Sequence, residues 1–129
     1  VDVFNTIAGA IQADLPQDRQ YDGVDLMPYL RKETAGKPHE TLYWKTGESV
    51  AIRKGDWKLI HTGRSGQTVL YNLSADKNET TDLSEKMPEK VIELMNDHQK
   101  WAAELPPPIW PGVVTFAFDD GGEVFLFDN

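Results

Sequence analysis

Thr41-Leu42-Tyr43-Trp44-Lys45-Thr46-Gly47-Glu48-Ser49-Val50-Ala51-Ile52-Arg53-Lys54-Gly55-Asp56-Trp57-Lys58-Leu59-Ile60-His61 is the stretch that decides the fold. Side chains alternate with a period of two, and Thr46-Gly47-Glu48 and Lys54-Gly55-Asp56 break the run as tight connections. This reads as three short strands, 41–45, 49–53 and 57–61. A turn at Thr62-Gly63-Arg64-Ser65-Gly66 leads into a fourth, Gln67 to Leu73. Short strands joined so tightly form an antiparallel meander. Trp57, Leu59 and His61 share one side of the third strand, and Gly55 supplies the positive φ that a tight turn needs. Trp57 and Leu59 are expected to face a covering layer, with Arg53 and Lys58 wet or paired with carboxylates.

That layer follows in the chain. Ser74 to Lys86 is polar, and Asp76, Asn78 and Asp82 offer side-chain hydrogen bonds to nearby backbone. Pro88 suits a first helical position, and Glu89 favours the positive helix end. Val91, Leu94, Met95, His98, Trp101, Ala102 and Leu105 recur at steps of three and four, an amphipathic helix of about four to five turns. Pro106-Pro107-Pro108 ends it. The expected fold class is α+β: a four-stranded antiparallel sheet packed by this long helix.

The flanks differ. Val1, Phe4, Ile7, Ala8 and Ile11 give the first thirteen residues a helical apolar face with no sequence-adjacent partner to bury it. Asp14 to Asp22 is a surface loop, and Pro28 opens a short helical turn within Val24 to Leu30. Val113 to Phe118 and Glu123 to Phe127 flank Asp119-Asp120-Gly121-Gly122, a C-terminal β-hairpin whose apolar arms need covering. The leading helix therefore belongs against something larger upstream, and with a first residue of Val the chain reads as a C-terminal piece of a bigger protein. The expected division is 1–35 as the end of an upstream domain and 36–129 as the α+β unit. An isolated chain with Phe4, Ile7 and Ile11 uncovered is expected to self-associate.

Composition narrows the function. The 129 residues carry 21 acidic and 13 basic side chains, a net charge of −8, and no basic cluster, which disfavours nucleic acid. There is no cysteine, so disulfides, thiolate metal sites and cysteine nucleophiles are excluded. No apolar run approaches the roughly 18 residues of a membrane span, and the N-terminus shows no signal-type segment. His39 and His98 read as hydrogen-bonded structural histidines, whereas His61, entering a glycine-rich turn with Arg64, is the candidate binding histidine. Asp22-Gly23-Val24-Asp25 and Asp119-Asp120-Gly121 supply too few oxygens for a calcium loop and are read as turns. Asn72-Leu73-Ser74 and Asn78-Glu79-Thr80 match the glycosylation pattern, which is short and unspecific. No nucleophile elbow, P-loop, dinucleotide fingerprint or paired-histidine zinc motif occurs, so no catalytic residue and no metal ligand is assigned.

Five segments in order resemble the C-terminal region of the sulfatase family, the formylglycine-dependent sulfuric ester hydrolases. Val1 to Ala10 is similar to a late family helix, with Asn5 where proline is common. Asp22-Gly23-Val24-Asp25-Leu26-Met27-Pro28-Tyr29-Leu30 resembles "DGVDLxPxL". Pro38-His39-Glu40-Thr41-Leu42-Tyr43-Trp44 looks like "PHxxLYW", and Ala51 to Ile60 like "AxRxGDWKL". Leu70 to Glu79 is similar to "LYDLxxDPxE", with Lys77-Asn78 as the departure. The resemblance implies a parent with an alkaline-phosphatase-like α/β domain upstream, to which the leading helix belongs, followed by this small α+β subdomain.

It also implies that the parent hydrolyses a sulfated small molecule or sulfated glycan. The parent's formylglycine, formed from Cys or Ser in C/S-x-P-x-R, and its divalent cation, usually calcium, would lie upstream. No residue here matches those motifs, so this chain is expected to be non-catalytic, with no cofactor of its own. Its partner would be the upstream catalytic domain of the same polypeptide, and its role to complete the fold and border the substrate cleft. His61 and Arg64 would then face substrate. Family members are commonly exported to periplasm, medium or lysosome, although the segment carries no address. The alternative is a stand-alone glycan- or protein-binding module using Trp44, Trp110 and the Phe-rich tail.

Overall fold

Gly47 (φ 59°) and Gly55 (φ 60°) each open a two-residue connection, and the first three strands of the sheet hinge on them. Nothing lies within 4 Å of a Cβ built on Gly55, so its requirement is conformational rather than steric. The computed structural model describes residues 1–107 and the backbone of strands 115–120 and 123–128. The elements are α1 (Asp2–Ala10), α2 (Met27–Leu30), β1 (Thr41–Thr46), β2 (Ser49–Lys54), β3 (Trp57–His61), β4 (Thr68–Asn72), α3 (Pro88–Ala103), β5 (Thr115–Asp120) and β6 (Glu123–Asp128). They fall into two compact units, Val1–Glu40 and Thr41–Asn129.

In the second unit β1 to β4 pair antiparallel in chain order, the meander expected. The register sets Tyr43, Ile52, Leu59 and Leu70 abreast, and α3 covers that row. Ile52, Leu59, Leu70 and Leu94 are fully buried, with Tyr43, Trp57, Leu83, Met87, Val91 and Met95 around them. Trp57 and Leu59 thus lie on the covered face, as the alternation requires. Pro88 stands in the first turn of α3, Glu89 follows it, and Lys100 lies in the last turn.

Two devices hold the ends of this layer. Trp101 stacks on Tyr43 at 4.8 Å and 7°, and His98 meets both rings edge-on. His98, only 2% exposed, donates from Nε2 to the Trp44 carbonyl at 3.0 Å. The edge of β4 is closed by the segment that follows it. Asp82 Oδ1 accepts the Leu70 N–H at 2.9 Å, and the Leu83 N–H donates to the Leu70 carbonyl at 2.8 Å. Burial works against the Asp82 carboxylate, yet the N–H groups of Leu70 and Ser84 outweigh it and hold its pKa below the usual range.

In the first unit α1 is fastened by its polar side. Asp2 Oδ1 accepts from the Val24 N–H at 3.0 Å and from His39 Nε2 at 2.8 Å. Asn5 Nδ2 donates to the Gly23 carbonyl, and the Leu26 N–H donates to Thr6 Oγ1 at 3.1 Å. The apolar side stays open: Phe4 is 55%, Ile7 56% and Ile11 69% exposed. Strands β5 and β6 pair antiparallel as the expected hairpin. Their turn at 121–122, their side chains and Trp110 lie outside the described residues. No helix among the described residues is long and apolar enough to cross a membrane.

Candidate functional site

The β3–β4 loop sits at one end of the sheet and carries both residues singled out for binding. His61 is the last residue of β3, half-buried, and its Nδ1 hydrogen-bonds with Thr68 Oγ1 at 2.8 Å. That bond fixes the ring and leaves Nε2 as its other polar atom. Thr62, fully buried, organises the turn. Its N–H donates to the Gln67 carbonyl at 2.9 Å, its carbonyl accepts from the Gly66 N–H at 2.8 Å, and its hydroxyl bonds that of Ser65. Arg64 stands exposed at the turn's apex.

Gly63 shows how tightly this loop is held. A Cβ there would lie 2.1 Å from the Cβ of Glu48, so the β1–β2 turn and the β3–β4 loop are in direct apposition. The Gly63 N–H donates to the buried Ser49 Oγ at 3.3 Å. A rigid sheet end thus carries His61 on its last strand position and Arg64 on the loop that follows. Neither His39 nor His98 joins them. His39 is tied to Asp2 in the first unit, and His98 lies under the helix.

The sheet face opposite α3 carries a feature that alternation alone did not single out. Trp44, Ala51, Ile60 and Val69 lie abreast there, flanked by Arg53 and Lys58. A groove of about 360 Å³ runs over this face, lined by Trp44, Ala51, Arg53, Lys58, Ile60, Leu73 and Glu79. Lys58 Nζ binds both Glu79 carboxylate oxygens at 2.7 Å, the pairing expected of it. Arg53 is exposed, without an ion pair to a described residue. The signal was present in the sequence as an apolar residue on each side of the strands.

Among the described residues no three His, Asp or Glu side chains converge to hold a metal ion. The acidic groups serve backbone instead. The Asp76 carboxylate is held below its usual pKa by the N–H groups of Thr81 and Thr80, and Asp2 by the Val24 N–H and then His39. Nor does any Cys/Ser-x-Pro-x-Arg occur in the chain. No chemical step is assigned to the described residues.

No protein-family model matches the chain. It is 49% identical over 72 residues to the steryl-sulfatase of Mus musculus, covering 47% of this chain and 11% of that protein. It is 26% identical over 108 residues to an N-acetylgalactosamine-6-O-sulfatase of Bacteroides thetaiotaomicron, covering 73% of this chain and 21% of that protein. In fold it matches BT33336S-sulf, from glycosaminoglycan metabolism by the same organism, with a TM-score of 0.60 and 24% identity. That likeness covers 80% of this chain and 24% of the solved one. With its four-stranded antiparallel sheet under one long helix and the ordered motif segments before it, the chain is similar to the C-terminal region of sulfatases. The chain spans between about a tenth and a quarter of the length of these relatives.

Proposed function

We propose that this chain is the non-catalytic C-terminal part of a sulfuric ester hydrolase, and that within the parent it completes the fold and borders the substrate cleft. The observation that carries this reading is the 49% identity to a sulfatase across a segment of 72 residues. Support comes from the fold shared with a glycosaminoglycan-pathway sulfatase and from the absence in this chain of a Cys/Ser-x-Pro-x-Arg sequence. The parent's formylglycine and cation belong upstream, and its substrate is a sulfated small molecule or sulfated glycan. Export to periplasm, medium or lysosome accords with that substrate class.

Within the cleft, His61 and Arg64 are the residues of this chain proposed to face substrate. Arg64 offers a planar cation to a sulfate or sugar hydroxyl, and the Thr68 bond aims the His61 ring. The first test reads the gene upstream of the Val1 codon. A long open frame containing Cys/Ser-x-Pro-x-Arg is expected, whereas a start codon immediately before Val1 overturns the parent. With the parent in hand, His61→Ala should raise KM or lower kcat for an aryl sulfate by about tenfold, as loss of one hydrogen bond to substrate does. Unchanged kinetics would remove His61 from the cleft and leave the sulfatase reading intact.

A further inference from the structure

The sheet is apolar on both faces, and only one is explained by α3. Beneath the helix lie Tyr43, Ile52, Leu59 and Leu70. On the other face Trp44, Ala51, Ile60 and Val69 lie abreast; Val69 is buried at 3% exposure, Ala51 and Ile60 are half-buried, and Trp44 at the open end is 49% exposed. An apolar row that crosses all four strands, with Arg53 and Lys58 beside it on the same face, reads as one side of a packed layer. Its two cations differ as well. Lys58 is matched by both oxygens of Glu79, while Arg53, at the rim of the same groove, has no ion pair with a described residue. A guanidinium beside an apolar groove is completed by a partner that brings a carboxylate.

We infer that this face, centred on Trp44 and anchored by Arg53, is the surface on which the remainder of the parent polypeptide docks. The inference rests on the parent proposed above and names the surface it uses. The matched stretches fill only 11% to 24% of these relatives, so polypeptide enough to cover the groove accompanies this region in them. The partner surface is apolar, to meet Trp44, Ala51 and Ile60, and holds one Asp or Glu opposite Arg53. Its covering role is distinct from that of the β3–β4 loop, which lies at the sheet's end.

Hydroxyl-radical footprinting of Trp44 tests this, comparing the natural full-length gene product with the 129-residue chain, and phenylglyoxal labelling reports on Arg53. The expected result is at least fivefold lower Trp44 oxidation and lower Arg53 labelling in the longer product, unchanged on hundredfold dilution. Equal Trp44 reactivity in the two, including the case where the natural product is no longer than this chain, overturns the inference. Protection that vanishes on dilution assigns the face to a second copy. Protection that appears only on adding a sulfated glycan assigns it to ligand. Either result overturns the inference as well. The Cys/Ser-x-Pro-x-Arg sequence is checked in the same product, so a protected Trp44 in a polypeptide lacking it would sink the sulfatase reading and leave the docking surface standing.

Discussion

The two faces of the four-stranded sheet have nearly the same apolar content and opposite fates. One carries Ile52, Leu59 and Leu70, fully buried under Leu94 of α3. The other grades from a buried Val69 through half-buried Ile60 and Ala51 to a half-exposed Trp44, with a groove above the open end. The difference lies in what the chain places nearby rather than in the strands. Ser74 to Met87 spans the end of β4 and delivers α3 to one side. The lesson is that strand alternation specifies two faces, and a single amphipathic helix covers one of them.

Truncation on each side is the most direct way to break that comparison. Leu59→Ala removes a fully buried side chain from the covered face and should cost about 2–5 kcal/mol, read as a lower denaturation midpoint in urea. Trp44→Ala on the other face should cost no more than about 1 kcal/mol in this chain, because half its surface already meets water. The Trp44 carbonyl that receives the His98 hydrogen bond is backbone and survives the substitution. Equal losses at the two positions would erase the distinction between the faces.

The edge of β4 sharpens the comparison through acid. Asp82→Asn keeps an acceptor oxygen for the Leu70 N–H but removes its charge at an exposed position, and should cost about 0.5–1 kcal/mol near neutral pH. The sign of its pH dependence follows from the direction of the shift. The folded-state pKa of Asp82 is lowered, so the stabilisation is present above the unfolded-state value near 4 and is lost as pH falls through the folded one. Asp76, Glu93 and Asp97 are shifted the same way and add to the same acid lability. Melting temperatures of the unsubstituted 129-residue chain should therefore fall below about pH 4, and those of Asp82→Asn should fall less steeply. Parallel profiles would show that Asp82 is not a source of the acid sensitivity.

How much of this was legible follows from range. Strand positions, the Gly55 turn and α3 are local patterns: a period of two, a glycine at a hinge, and apolar steps of three and four. Asp82 was readable as a turn former, but its partner Leu70 lies 12 residues back. The Asp2–His39 bond spans 37 residues and the His98–Trp44 bond 54, distances over which no spacing rule operates. His39 and His98 were assigned structural roles from their settings without their partners being visible. For the candidate site, the loop holding His61 and Arg64 was evident from its glycines. Its apposition to Glu48 through Gly63 depends on two turns meeting in space. The apolar second face was written in Trp44, Ala51 and Ile60, yet alternation says nothing of what lies above it.

Charge provides the finest probe of the covered side. Lys54 of β2 reaches across to α3, with Nζ 2.6 Å from Asp97 Oδ2 and 3.2 Å from Glu93 Oε1. Both hydrogen bonds hold its pKa above the usual lysine value, that to Asp97 foremost. Lys90 bonds Glu93 in turn and lies 5.8 Å over the Trp57 ring, so the charges form a chain along the helix–sheet seam. The groups are substantially exposed, and exposed pairs contribute little after screening and side-chain ordering. Lys54→Gln should therefore cost about 0–1 kcal/mol, measured by urea titration at low salt, and the loss should shrink further at 1 M sodium chloride. A loss matching that of Leu59→Ala would mean that the seam, and not the apolar layer beneath it, holds α3 to the sheet.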